Sequence, residues 1–481
     1  MLDHISSTWE HRAFLKSESI HLDPAQKKRL SSKLFRSALH KMKKLNPALA
    51  SDLLFSLYSP FGRRAIDPSL FIRSFILIQH FGYTSIHRWC EDLHSDSLLQ
   101  YLLGSFQPPS KASHYDFIIR LTGVDPHMDE LYPKEHYKKQ PKKKPKHGEK
   151  LINYSHTDTY SLLDKYKDGA DSDRDRMMFM LQSLFNSLAV IPSLDLGFID
   201  QKELILSGDG SSLHIHASRS GHKASAGNDD DPVYRFSAPD ADFGWDSSLD
   251  SFYLGFTFYN ISYHNPSRNI DLPVFISLEK ASRHDALTSV SATAQLLDMN
   301  PDLRPKYMCL DSASDSLPIY QYLCLNHIIP VIDRNPRRDS SKSNSEKSNL
   351  SSNGIPVCMA GHEMINHGYD YNRCRRKFRC PYVMGKVDSC PLKDQCSSSD
   401  YGRVVYINDG DDARNGGPLL YRSEKWKKIY KNRTCTERIN NRVLNDYHLH
   451  QMTIRNGPKN AFFCIFAGIN IHLDAWIKDK D

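Results

Sequence analysis

The sequence predicts an α/β protein in which a mixed β-sheet is flanked by helices, with an all-helical N-terminal domain before it and a small cysteine-rich insertion late in the chain. Three observations predict this. Apolar residues between positions 24 and 121 recur at three- and four-residue spacing, as in amphipathic helices. From residue 203 onward, runs typical of strands alternate with helical stretches. Finally, five of the ten cysteines lie between residues 358 and 396.

The N-terminal domain is assigned to residues 1–133. Helical stretches are KKRLSSKLFRSALHKM, PSLFIRSFILIQHFG and SIHRWCEDLHSDSLLQYLLG, and a further helix is expected at residues 112–121. The turn SPFGRRAIDP precedes the second stretch, and Asp67 followed by Pro68 is a typical helix start.

A basic linker is assigned to residues 134–150. It holds eight lysines, including Lys142, Lys143 and Lys144, against two glutamates, so it carries 8 − 2 = +6 of the formal charge of +7. A lysine run is typical of a solvated linker, and it can also bind the phosphates of a nucleic acid.

The sheet and its helices are assigned to residues 151–335 and 421–481. We expect a helix at 171–189, strands at 203–207, 252–263 and 272–278, a helix at 285–297, a strand at 307–310, a helix at 316–325 and a strand at 328–332. After the insertion, at residues 336–420, a helix is expected at 423–444 and a last one in AFFCIFAGINIHLDAWI, packed on the sheet. The succession is β-β-β-α-β-α-β, which fits a mixed sheet.

Three carboxylates fall on these elements in a meaningful order. Asp209 follows the first strand, Asp311 ends the fourth, and Glu437 lies on the helix after the insertion. Phosphodiester transfer with two hard cations needs such oxygen ligands close together. A ribonuclease-H-like nuclease core has this arrangement, and the insertion accounts for the long second gap.

Each carboxylate also has an ordinary interpretation. Asp209 lies between two glycines, where turn aspartates are common. Asp311 could cap the following helix, as could Asp315. Glu437 could form a surface ion pair with a neighbouring arginine. Only their order on the expected elements favours the catalytic interpretation.

The chain resembles the DDE transposases of bacterial insertion sequences over about residues 50–475. The resemblance is carried by SPFGRRAIDPSLFIRSFIL, PPSKASHYDFIIRL, SGDGSSL, YRFSAPDADFGWDSSLDSFYLGFTFY and CLDSASDSLPIYQYLCLNHIIPVIDRNPRR. It implies a helical domain that binds the terminal inverted repeats. It also implies cleavage and strand transfer of double-stranded DNA by two Mg²⁺ ions, which Mn²⁺ can replace, held by Asp209, Asp311 and Glu437.

Around the glutamate, such enzymes often show Tyr, two residues, Arg, three residues, Glu, six residues and Lys. Tyr430, Arg433 and Glu437 match the first three positions, but the last is Leu444. By resemblance Tyr430 and Arg433 would contact DNA phosphates, whereas their ordinary interpretation is an amphipathic helix face. Arg438 and Arg442 are the candidates to replace the missing lysine.

The cysteine-rich insertion contains a candidate structural zinc site. Cys358, Cys380, Cys390 and Cys396 would supply four thiolates, with Cys374 spare. The spacing contains no CxxC pair, so His362 and His367 stay alternative ligands, and free cysteines stay an alternative to any metal. The stretch RRKFRCP gives the insertion basic and aromatic character that suits contact with DNA.

The remaining expectations concern location and partners. The N-terminus lacks an apolar signal sequence, and the apolar stretches at 69–78 and 461–471 are too short to span a membrane. We therefore expect a cytoplasmic, nucleoid-associated protein that forms a homodimer when two transposon ends are paired. The alternatives are a catalytically inactive DNA-binding relative, such as a repressor of transposition, and a stand-alone structure-specific nuclease.

Overall fold

The structure is a computed structural model that describes residues 1–124, 131–134, 136–137, 161, 172–224, 232–335 and 350–478. Its first part is helical, as predicted. The helices are α1 (Thr8–Glu18), α2 (Pro24–Leu30), α3 (Lys33–Lys44), α4 (Ser51–Ser56), α5 (Pro68–His80), α6 (Ile86–Ser95), α7 (Ser97–Leu103) and α8 (Lys111–Thr122). Lys142, Lys143 and Lys144 of the predicted linker lie outside the described residues.

The next part contains the sheet. Its elements are β1 (Tyr132–Pro133), α9 (Ser172–Phe185), α10 (Ile191–Asp195), β2 (Ile205–His214), β3 (His222–Lys223), β4 (Val233–Arg235), β5 (Asp242–Asp246), β6 (Ser251–Asn265), β7 (Ile270–Lys280), α11 (Asp285–Met299), β8 (Tyr307–Leu310), α12 (Leu317–Leu325) and β9 (Ile329–Ile332). A π-helical turn, Asn186–Val190, joins α9 to α10.

The last part follows the insertion. It comprises β10 (Ile365–Asp370), β11 (Arg375–Arg379), α13 (Lys393–Cys396), β12 (Val404–Asn408), α14 (Glu424–Tyr430), α15 (Thr434–Asn441) and α16 (Gly457–Lys478). The helix predicted at 423–444 is thus present but irregular. A 3-10 turn, Lys431–Arg433, joins α14 to α15, and a π-helical turn, Arg442–Asp446, follows α15.

The main sheet has six strands of mixed direction, which confirms the predicted class. Its order is β5-β6-β2-β8-β9, and β7 pairs with β6 beside β5. Strand β6 is antiparallel to β2, β5 and β7, whereas β8 is parallel to both β2 and β9. The strand that carries Asp209 is therefore flanked by one antiparallel and one parallel neighbour.

Strand β2 is longer than predicted. The strand was predicted at 203–207, with a turn at Gly208, Asp209 and Gly210 as the ordinary alternative, but it continues through them to His214. The glycines suit a close approach of neighbouring side chains. A Cβ atom on Gly208 would lie 2.5 Å from the Tyr259 hydroxyl. Strand β5 was not predicted, because its sequence DFGWD lacks β-branched residues, and it forms as a hairpin with β6.

Helix α16 lies between the N-terminal helices and the sheet. On one side Phe75 of α5 packs edge-to-face on Phe462, with ring centroids 4.6 Å apart. On the other, the His472 ring lies 2.8 Å from the Pro273 carbonyl of β7. The expected packing of the last helix on the sheet is confirmed. The helical region and the sheet consequently share one continuous hydrophobic core.

Two stretches in the described part of the chain are long and apolar enough to span a membrane by length and composition alone. They are Asp175–Asp195 and Gly457–Lys478. The second includes residues 461–471, which were predicted to be too short to span a membrane. The most apolar part of the second stretch is 89% buried inside the protein, whereas that of the first is 61% buried. Burial in the core explains the apolar composition of α16, and a soluble protein is compatible with it.

The insertion forms a separate three-stranded antiparallel sheet of order β10-β11-β12. It is fastened to the main sheet beside Asp311. Arg414 forms an ion pair with Asp315, with 2.5 Å between nitrogen and oxygen, and Arg334 donates to the Asn415 side chain over 2.6 Å. These contacts hold the insertion against the segments that follow β8 and β9.

Candidate functional site

The first two predicted carboxylates lie on neighbouring parallel strands. Asp209 is in the middle of β2, and Asp311 comes directly after β8. The register pairs Ser207 with Cys309. Continued by two residues, the same offset of 102 sets Asp209 beside Asp311, and paired residues of parallel strands share a face of the sheet. The first two carboxylates are therefore neighbours.

The third carboxylate comes from α15, which crosses this face. Glu437 is in its first turn and is half-exposed. Two contacts fix the helix. The Asn260 amide, whose residue is paired with Asp209 in the sheet, donates to Asn440 over 2.6 Å. Arg438 binds both oxygens of Asp271 on β7, at 2.5 and 2.8 Å.

Arg433 joins the first carboxylate to the third. One guanidinium nitrogen lies 3.4 Å from Oδ2 of Asp209, and another forms a short ion pair with Glu437. The Arg433 side chain is 21% exposed, so this bridge is partly shielded from water. By resemblance Arg433 was expected to contact DNA phosphates, whereas in this structure its charge balances two of the carboxylates.

The electrostatics show that the acidic groups interact. The pKa of Asp209 is raised to about 7, chiefly by burial. Arg433 opposes this rise, whereas Asp311, Asp285 and Glu437 add to it by repulsion. Several carboxylates that cannot all ionise cheaply form a group that favours positive charge.

Asp285 is a fourth carboxylate that sequence reasoning missed as a site residue. Asp285 is the first residue of α11, which approaches the site from another side of the sheet. The sequence predicted it only as the start of a helix. Its Oδ1 lies 2.8 Å from the position that a Cβ on Gly210 would take. Burial and Asp311 raise its pKa to about 6. In the sequence, the signal for this residue is an aspartate at a predicted helix start, a few residues after a buried strand.

The other predicted contact residues are held within the protein. Tyr430 stacks on Trp426 with ring centroids 4.5 Å apart, and burial raises the pKa of its hydroxyl. Arg442 is paired with Asp474 at 2.6 Å. Leu444, at the position where a lysine was expected, is buried in the core.

Arg438 and Arg442 were the candidates to replace that lysine. The structure engages both with carboxylates of the protein instead. Their observed contacts hold the helix that carries Glu437.

The predicted zinc ligands are dispersed around the insertion. Cys358 precedes β10, Cys380 follows β11, Cys390 precedes α13 and Cys396 is the last residue of α13. Cys374 is exposed in the turn at the other end of β11. In the part of the chain that the structure describes, no three or more Cys, His, Asp or Glu side chains are arranged to hold a metal ion. The zinc site therefore stays a prediction, which measuring the zinc content of the purified protein would test.

The absence of a ready group of metal ligands among the described residues also applies to the acidic site. Arg433 bridges two of its carboxylates. The donor chemistry nevertheless fits Mg²⁺ or Mn²⁺, since Asp209, Asp311 and Glu437 offer oxygen ligands only. A buried carboxylate with a raised pKa also has much to gain from a nearby cation.

Comparison with known proteins adds no family to this description. No protein-family model matches the chain, and no curated protein matches it significantly. The functional argument therefore depends on the geometry and charge of the site.

Proposed function

We propose that the protein is a DDE-type DNA transposase with a ribonuclease-H-like core. It would bind the terminal inverted repeats of its insertion sequence, cleave the DNA strand there and join it to a target. The observation that carries the proposal is the convergence of Asp209, Asp311 and Glu437 from two adjacent parallel strands and a crossing helix.

The proposed core agrees with the sheet topology. The strand that carries the first carboxylate is central, the second carboxylate ends its parallel neighbour, and the third lies on a helix packed on the same face. Such a placement lets three distant parts of the sequence act on one phosphate. It also leaves Glu437 and the edge around it open to a large substrate, because its side chain is 52% exposed.

The proposed cofactors are two Mg²⁺ ions, for which Mn²⁺ can substitute. Asp209, Asp311 and Glu437 would together hold these ions. When bound, the ions would activate water and offset charge on the scissile phosphate. For this, Arg433 has to release Asp209 and Glu437, and its freed guanidinium would then be available to a DNA phosphate.

Within this proposal, other side chains of the protein position Glu437 and close the site toward the core. Asn440 and Arg438 hold α15 against β6 and β7, so that Glu437 faces Asp209. Tyr259, fully buried behind the carboxylates, closes the site toward the core. The Tyr430 hydroxyl lies near enough to Asp311 to sense its charge, which suits a contact at the edge of the site.

The proposed partner is double-stranded DNA, both transposon end and target, and the proposed location is the cytoplasm at the nucleoid. A homodimer would form when two ends are brought together. Two alternatives remain: a DNA-binding relative that does not cut, such as a repressor of transposition, and a structure-specific nuclease that does not join strands. The acidic cluster itself favours a cutting protein, because four interacting carboxylates are costly to keep without a catalytic use.

The test uses a labelled duplex that carries the inverted repeat flanking the coding region, with and without a target plasmid. The proposal predicts cleavage at the repeat boundary in Mg²⁺ or Mn²⁺ and joined products with the plasmid. Asp311→Asn and Glu437→Gln should each lose both activities, and Asp302→Asn, at an exposed aspartate, should keep them. Cleavage without joining would indicate the nuclease, and binding of the repeat without cleavage would indicate the repressor.

A further inference from the structure

The insertion concentrates its positive charge on one strand. Residues 350–420 hold nine lysines and arginines against eight aspartates and glutamates, so the insertion is nearly neutral as a whole. Five of the nine basic residues lie between positions 373 and 379, in and just before β11. The charge is therefore local.

Alternation along β11 separates two faces. Arg376 and Phe378 are buried, whereas Arg375, Lys377 and Arg379 are on the other, partly exposed face. Residues two apart in a strand are about 6.8 Å apart. The outer face consequently presents a regular row of three cations, which we call the β11 basic row (Arg375, Lys377 and Arg379).

Two tyrosine rings support this row from neighbouring segments. The Arg375 guanidinium lies 3.8 Å from the centroid of the Tyr406 ring, and that of Arg379 lies 3.4 Å from Tyr401. Lys377 donates to the Tyr401 hydroxyl over 2.8 Å. Both tyrosines stay 42% exposed. Stacking on aromatic rings holds guanidinium groups flat while they keep their charge.

The protein leaves much of this charge unbalanced. Asp370, across the sheet from Arg375, is 4.0 Å from its Nε, so this ion pair is long and weak. The Arg379 guanidinium donates to the Tyr401 carbonyl over 3.0 Å, a neutral partner that leaves its positive charge in place. A surface of flat cations and aromatic rings with little internal neutralisation fits a polyanion.

The opposite face of the strand is firmly attached. Arg376, only 2% exposed, donates from Nε to the Gly417 carbonyl over 3.0 Å. Gly417 follows shortly after Arg414, whose ion pair with Asp315 joins the insertion to the loop after Asp311. The basic row is thus carried on a rigid support connected to the acidic site.

We propose that the β11 basic row binds the sugar-phosphate backbone of DNA that extends beyond the acidic site. This rests on the proposed function and assigns the insertion a role within it. The β11 basic row recognises DNA by charge and stacking and makes no contacts that distinguish one base from another. It can therefore bind flanking or target DNA of any sequence.

The experiment measures binding of the full-length chain to a labelled duplex of random sequence, in EDTA so that no cleavage occurs, as a function of salt. The variant replaces Arg375, Lys377 and Arg379 by glutamine. Three lost phosphate contacts lower the slope of log affinity against log salt by up to about 2.7. Between about 50 and 200 mM salt the unchanged protein then loses about 40-fold more affinity than the variant.

The matched control replaces three exposed basic residues outside both the helical domain and the insertion, Lys202, Lys280 and Arg304, by glutamine, and removes the same net charge. An equal fall in slope in both variants would overturn the proposal, because net charge alone would then explain binding. An unchanged slope in the β11 variant would overturn it too, and would indicate a different partner such as an acidic protein. If the unchanged protein binds no DNA at all, the proposed function fails instead. Thermal unfolding of each variant checks that the fold is kept.

Discussion

Replacing Asp209 with asparagine should stabilise the metal-free protein at neutral pH, although it removes the central carboxylate of the site. Burial and three neighbouring carboxylates raise the pKa of Asp209 from 3.8 to about 7. A carboxyl group with a raised pKa in the folded state opposes folding once it has to ionise. The penalty is nearly absent at pH 4 and grows as the pH rises toward 7.

The size of the effect follows from the shift. A change from 3.8 to about 7 corresponds to about 4 kcal/mol at about 1.4 kcal/mol per unit of pKa. This is an upper limit, because asparagine also loses hydration when it is buried and forgoes the ion pair with Arg433. We expect the free energy of unfolding to rise by about 2 kcal/mol or more at pH 7 and by less than about 1 kcal/mol at pH 4.

The assay is urea-induced unfolding of both proteins in EDTA at pH 4, 5.5 and 7. The control is Asp195→Asn, which changes an exposed aspartate at the end of α10 and should alter stability little at any pH. Equal stability of Asp209→Asn and the unchanged protein at pH 7 would refute the reasoning. So would a stabilisation that is the same at pH 4 and pH 7, because it could not come from ionisation.

Two further predictions concern charges around the site. Arg433→Gln removes the cation paired with Asp209, so Mn²⁺ should bind at least about tenfold more tightly by titration calorimetry, or about 1.4 kcal/mol; an unchanged or weaker affinity would show that Arg433 does not compete with metal. Asp474→Ala leaves Lys41, which is 1% exposed, without its carboxylate and should cost about 3 to 5 kcal/mol in urea unfolding. Glu203→Ala, at an exposed ion pair, should cost far less than Asp474→Ala, and equal costs would contradict the argument.

Much of the sheet could be predicted from the sequence because its strands are apolar and its helices periodic. The strand at 307–310 has the predicted bounds, and β6, β7 and α11 differ from prediction by a few residues at their ends. The predicted first strand ends before β2 does, because glycines on either side of Asp209 are typical of a turn. Its extension depends on pairing with β6, which local sequence does not encode.

The candidate site could be predicted only in part. The order of Asp209, Asp311 and Glu437 along the chain indicated convergence, and the parallel register brings the first two together. The bridging position of Arg433 and the approach of Asp285 depend on how separate helices pack on the sheet. Neither leaves a spacing pattern in the sequence, since the partners are far apart along the chain.

The roles of Arg438 and Arg442 were also hidden. Both were candidates to replace the missing lysine, yet each has a carboxylate partner from a distant segment, Asp271 on β7 and Asp474 on α16. Such ion pairs can be recognised only once the packing of α15 is known. They explain how Glu437 is held, which the sequence pattern left unexplained.

The central claim is that the acidic cluster is a metal-dependent site for cutting DNA. Its most direct test is a single-turnover cleavage assay on the repeat duplex, comparing the unchanged protein with Asp209→Asn in Mg²⁺, in Mn²⁺ and in EDTA. We predict cleavage at the repeat boundary by the unchanged protein in either metal and none in EDTA, with no cleavage by the variant although it still binds the duplex. Equal cleavage by both proteins, or binding of the repeat without cleavage by either, would contradict the account.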